Sequence, residues 1–180
     1  MDEFDVFAAT LLEESKRFLE KANDCPEPNG RTAYLHAGIL LAYCALEAFI
    51  ATIAEEFKNN NDFTEHELAL LIEKEVRIRK GKFTLANANK FYRIEDKIEF
   101  LHRHFSGVEI SEKDAWWSAL KTGMKLRNDI SHPKNATLIT LDSVTLAIAA
   151  VIDTISALFK AIYGRDFPAA NRRLQSKLTF

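Results

Sequence analysis

The 180-residue chain is poor in the residues that mark small secreted and fibrous proteins, with two Cys, four Pro and six Gly. Cys25 and Cys44 stand far apart without a CxxC partner, so the sequence offers neither a disulfide framework nor a zinc site. The scarcity of Pro and Gly, alongside 28% charged residues, excludes collagen-like and disordered compositions. No segment sustains apolar alternation with a period of two, and there is no internal repeat or low-complexity tract. The expected fold class is therefore all-α, a helical bundle, and 47% apolar residues suffice for one core.

Targeting signals are equally scarce. The N-terminal MDEFDVF is acidic where a secretory or mitochondrial leader is basic, so a cytoplasmic protein is expected. Residues 37–54 approach membrane-span length, but Glu47 interrupts them and small residues suited to close packing are frequent. They read as a buried core helix, with no membrane partner. His102 and His104 lie two apart on different sides of a helix, and neither a metal nor another cofactor is expected.

Apolar and small residues at Phe7, Ala8, Leu11, Leu12, Phe18 and Leu19 step through one face of a first helix, 3–22. Two prolines in residues 23–30 mark a connection, and a second helix spans about 31–58 and ends at Asn59, Asn60 and Asn61. Thr64 and Glu67 have the spacing of a capping box for a third helix reaching about residue 79, followed by a loop at 80–92. A fourth helix, 94–105, stops at Gly107. Ser111 and Asp114 frame the start of a fifth, which ends near Ser131 because Pro133 drives His132 out of the α region. Thr140 caps a last apolar helix that stops at Gly164, leaving a tail with Arg165, Arg172, Arg173 and Lys177.

The formal charge of −2 is unevenly spread: residues 1–60 hold five Lys and Arg against eleven acids, whereas 121–180 hold nine against four. A basic final third suits an anionic partner such as RNA, and equally a solvated basic face.

One arrangement carries chemistry. On the fifth helix Arg127 falls within about 40° of Trp116, Leu120 and Gly123, on the apolar face. A guanidinium cannot shed its proton, so this position demands an anionic partner. Glu47, the only acid between Arg31 and Ala54, is the candidate, and a buried Arg127–Glu47 pair is expected. His132 leaves the helix five residues beyond Arg127 and can turn to the same surface. Imidazole suits proton transfer near neutral pH and guanidinium forks onto phosphate, so the two fit RNA cleavage by the adjacent 2′-hydroxyl without a metal. The same residues also fit a core ion pair beside a helix-terminal histidine stabilised by the helix dipole.

The segment Leu126-Arg-Asn-Asp-Ile-Ser-His132-Pro resembles the Rx4-6H motif of the HEPN superfamily, with polar Asn128 after the arginine. The context agrees: the motif closes a helix of an all-α chain, a long apolar helix follows, and ALEAFI at 45–50 resembles the superfamily's second core helix with its acidic residue. The resemblance covers the first, second, fifth and sixth helices of a single domain, with about 60–110 as an insertion. It implies a metal-independent endoribonuclease from a toxin–antitoxin or phage-defence setting, acting as a homodimer with an antitoxin or defence protein as partner. Arg127, His132 and Asn128 would be catalytic, supported by Glu47 and Asp129. It also implies an alternative, since some HEPN domains are non-catalytic modules that bind a protein or nucleotide.

Outside the motif, Arg77, Arg79, Lys80 and Lys82 precede Phe83, Phe91 and Tyr92, a mixture that fits single-stranded RNA as well as a solvated charge run. Lys125 and Lys134 flank the motif as further RNA contacts. Trp116 and Trp117 must point about 100° apart, one inward and the other toward a subunit interface or the core.

Overall fold

Six helices and one β-hairpin make up the computed structural model, which describes residues 3–59, 63–133 and 138–180. They are α1 (Glu3–Asp24), α2 (Pro28–Phe57), α3 (Glu65–Ile72), β1 (Lys74–Arg79), β2 (Lys82–Asn89), α4 (Ile94–Ser106), α5 (Ala115–Ser131) and α6 (Leu141–Tyr163), followed by a 3₁₀ turn at Ala170–Arg172. The architecture is the expected helical bundle. α2 runs through its middle, packed along α1 and α6 and touching α3, α4 and α5. Its Leu35, Ile39, Leu46, Ile50 and Ile53 meet Val144, Ile148, Val151, Ile155 and Leu158 of α6 in one core, each side chain contributing roughly 1.5–3 kcal/mol through burial. α2 and α6 are long and apolar enough to cross a membrane, and in the bundle more than half of the apolar stretch of α2 is buried.

Local chemistry sets the helix ends. Thr64 accepts from the Glu67 N–H while the Glu67 carboxylate accepts from the Thr64 N–H, and Thr140 and Ser143 repeat this exchange at the start of α6. α2 starts earlier than expected because the Glu27 carboxylate caps it, accepting from the N–H groups of Asn29 and Gly30, with Pro28 in the first turn. Asn60 and Asn61 lie outside the described residues. Gly164 ends α6 in the left-handed region, at φ 66°.

The third expected helix is a correction. α3 stops at Ile72, and the residues expected to prolong it form β1, while the expected loop contains β2. Glu73 turns left-handed at φ 57° and breaks the helix. Lys80 and Gly81, at φ 49° and 76°, make the two-residue hairpin turn. The strand signal is weak because only Val76 and Ile78 alternate in β1, and Ile78 is exposed rather than in a core.

The C-terminal segment is not a free basic tail. Glu13, 2% exposed, accepts from Lys16 Nζ at 3.0 Å, Arg172 Nη2 at 2.8 Å and the Lys177 N–H at 2.7 Å. Ser176 Oγ donates to the Glu13 carbonyl, and Arg17 donates to the Phe180 carbonyl. The segment thus straps α1, enclosing an ion pair whose Lys16 is fully buried.

Candidate active site

α5 carries Arg127 because it lies close against its neighbours. A Cβ on Gly123 would come within 2.8 Å of the Ala147 Cβ on α6 and would also strike the Tyr43 hydroxyl on α2. Glycine is required there, and through it α5 approaches both helices. Tyr43 donates from its hydroxyl to the Leu120 carbonyl at 2.9 Å, tying α2 to α5. Burial pushes the Tyr43 phenol well above its ordinary range despite the nearby Arg127, so the proton needed for this bond is retained.

One helical turn after Tyr43 stands Glu47, and its carboxylate receives the Arg127 Nη2. The guanidinium lies 6.0 Å from the Tyr43 ring centroid, and its Nη1 donates to Asn128 Oδ1 at 3.1 Å. Carboxylate, ring and amide therefore orient Arg127 together. Tyr43 was not singled out in the sequence, although its place one turn from Glu47 was the available signal.

The expected contact between Arg127 and Glu47 is present, but their burial is not. Arg127 is 26% exposed and Glu47 49%. The reason lies in α2, which is not apolar all round its circumference: Cys44, Glu47 and Ala51, spaced three and four apart, form a stripe open to solvent. Partial desolvation by the surrounding helix surface and the Glu47 charge raise the thiol of the exposed Cys44, with Arg127 opposing, which disfavours the thiolate.

His132 is the C-cap of α5, at φ −132° and ψ 63°, and its backbone N–H donates to the Asn128 carbonyl at 2.9 Å. Its side chain is exposed. Asn128 consequently serves both partners, its side chain holding Arg127 and its carbonyl fixing the turn that presents His132. Asp129 is exposed on the same last turn, Lys125 is exposed on α5, and Lys134 lies outside the described residues. Arg77, Arg79, Lys80 and Lys82 stand apart on the hairpin, which packs against α3, whereas α5 packs against α6 and α2. Trp117 is buried and donates to Glu112 at 3.4 Å, while Trp116 is half-buried. Among the described residues no group of three His, Cys, Asp or Glu is placed to hold a metal ion.

A family model, RiboL-PSP-HEPN, matches residues 7–164. The chain belongs to this family. It is thus a HEPN domain, from a superfamily that includes ribonucleases, many of them in toxin and defence systems. The match runs from α1 through α6 and includes the hairpin, and the strap on α1 follows its last residue. No curated protein and no solved structure matches the HEPN domain significantly.

Proposed function

We propose that this HEPN domain is a metal-independent endoribonuclease. The observation that carries the reading is the end of α5, where the Asn128 side chain holds an oriented, solvent-reached guanidinium and its carbonyl holds the backbone N–H of His132, whose imidazole is exposed. Neutral His132 takes the proton of an RNA 2′-hydroxyl, whose oxygen attacks the adjacent phosphorus. The 5′-oxygen leaves and receives a proton, giving a 2′,3′-cyclic phosphate and a 5′-hydroxyl. Arg127 stabilises the charge gathering on the phosphoryl oxygens. A single imidazole cannot act as base and acid in the same step, so the active form is a homodimer, with one protomer's His132 as base and its partner's as acid. The working setting is the cytoplasm, in a toxin–antitoxin or phage-defence system with a protein partner that restrains the activity.

One observation favours a second reading, a non-catalytic binding module: Glu47 already occupies part of the Arg127 fork. The deciding experiment incubates mixed RNA with purified protein in EDTA. The enzyme gives cyclic-phosphate ends, leaves DNA uncut, and loses roughly 10²-fold or more in rate on His132→Ala with an unchanged melt. Cleavage that EDTA removes, or that survives His132→Ala undiminished, overturns it. Intact RNA throughout returns the domain to the binding reading.

A further inference from the structure

Four of the nine Lys and Arg of the last third face acids of the same chain. Arg172 is held by Glu13, Arg127 by Glu47, Lys121 by Glu112, and Lys160 lies 3.7 Å from Asp166. A denser run of positive charge lies elsewhere. Between Val76 and Tyr92 the chain carries Arg77, Arg79, Lys80, Lys82 and Lys90 and not one acid. Arg77 pairs with Glu75, but Arg79, Lys80 and Lys82 make no ion pair among the described residues, and all three are exposed.

The fold turns this tract into an arm. Its base is fastened: Ala86 is buried, the Lys90 N–H donates to the Glu73 carbonyl, and Lys97 of α4 pairs with Glu73 at 2.7 Å. From this base the two strands run along α3 to the Lys80–Gly81 turn, about 20 Å for a six-residue strand. Strand register separates two faces. Arg77, Arg79, Lys82 and Thr84 share one, and Val76, Ile78, Phe83 and Leu85 the other, with Ile78 directly opposite Phe83. Phe83 is 53% exposed, and His66 of α3 packs edge-on against its ring at 4.6 Å. A fixed arm with Arg79, Lys80 and Lys82 unanswered by acids, and a half-exposed aromatic ring on its other face beside the same turn, meets both needs of a single nucleic acid strand that crosses the tip: phosphate neutralisation and a surface for base stacking.

The geometry points to the hairpin tip, Arg79, Lys80 and Lys82 with Phe83, as a binding arm for single-stranded RNA, separate from the cleavage residues. The inference rests on the ribonuclease reading for the choice of RNA as ligand. The arm supplies affinity and takes no part in chemistry, so it acts on KM and leaves kcat unchanged.

The test measures binding of the whole chain to a short, labelled 2′-O-methyl oligouridine, which cannot be cleaved by 2′-hydroxyl attack. The variant R79Q/K80N/K82Q removes three charges and preserves the turn, since Asn tolerates the left-handed conformation of position 80. The expected result is binding weakened about tenfold or more, with a plot of log affinity against log salt shallower by about 2. Phe83→Ala weakens binding roughly fivefold or more without changing that slope. His132→Ala binds like wild type, so loss of cleavage and loss of the arm are read separately. Equal affinity and salt slope in wild type and the triple variant overturn the proposal, as does a wild-type protein that does not bind the oligonucleotide at low salt. Loss of binding to phosphatidylserine vesicles, with oligonucleotide binding intact, reassigns the arm to an anionic lipid surface and likewise overturns it.

Discussion

Two ion pairs of this domain invert the expectation that an apolar helix buries its charge. Arg127–Glu47, set on the apolar helix α2 and the apolar face of α5, is open to water, whereas Glu13–Lys16, on an amphipathic helix that gives no warning of it, is sealed beneath the C-terminal strap. The difference follows from what covers each helix. α2 presents Cys44, Glu47 and Ala51 to solvent, while the face of α1 bearing Glu13 and Lys16 is closed by a segment more than 150 residues away in sequence. A sealed pair has no route to a ligand and serves the fold. An open pair on the helix that ends in an exposed histidine remains available to a phosphate.

The sharpest way to break this contrast is Glu13→Ala. Lys16 would keep a buried ammonium without its carboxylate, and Arg172, whose Nε is already buried without a hydrogen-bond partner, would lose its acceptor. The expected loss is about 3–5 kcal/mol, read from chemical denaturation. A variant as stable as wild type would show that the strap closes over nothing of consequence. The pH dependence sharpens the point. Burial works against the ionised Glu13, but the Lys177 N–H, Arg172 and Lys16 outweigh it and hold the carboxyl below its ordinary 4.5. The folded chain therefore binds this proton less readily than the unfolded chain. Its contribution is complete above about pH 4.5 and disappears as pH falls through the lower, folded value. Glu13→Gln should flatten that part of the acid limb.

What could be read in advance follows from how local each signal is. Caps and stops at Thr64, Gly107, Thr140 and Gly164 depend on a few neighbouring residues, and all four lie where their chemistry places them. The Arg127–Glu47 contact was legible because a charge on the apolar helix α2 and one on the apolar face of α5 need each other. Their exposure was not, since it depends on which side of α2 the other helices leave open. The hairpin escaped because periodicity reports burial, and its apolar pair Ile78 and Phe83 has no core to face. The strap escaped because its signal is long-range: nothing near Glu13 announces Arg172 or the backbone of Lys177.

The next effect in size concerns the joint that brings α5 to α2. Gly123→Ala places a methyl against Ala147 and the Tyr43 hydroxyl, and Ala147 is itself packed on the α6 core. The helices must separate, at an expected cost of about 1–3 kcal/mol in thermal or chemical melts. The displaced α5 also loosens the Tyr43 bond to Leu120 that underlies Arg127. A melt unchanged by this methyl would mean that α5 is not tightly seated and that the orientation of Arg127 depends on Glu47 and Asn128 alone.

The smallest stability effect belongs to Glu47→Ala, and its smallness is the point. With the carboxylate 49% and the guanidinium 26% exposed, water and salt screen the pair, and the freed Arg127 recovers hydration that a buried guanidinium could not. The expected change in stability is about 0–1 kcal/mol, well below that of Glu13→Ala. A loss as large as that of Glu13→Ala would erase the distinction between the two pairs and make Arg127 a structural residue. In the proposed reaction Glu47 is a positioning residue, holding the fork of Arg127 at one edge while Tyr43 supports its face. Glu47→Ala should therefore lower kcat by roughly tenfold with little change in KM, the cost of a misplaced charge-stabilising group. Glu47→Gln retains an oxygen that accepts from the guanidinium, and it should restore most of that rate. Recovery with glutamine would assign the role of Glu47 to geometry, and failure of that rescue would assign it to the negative charge itself.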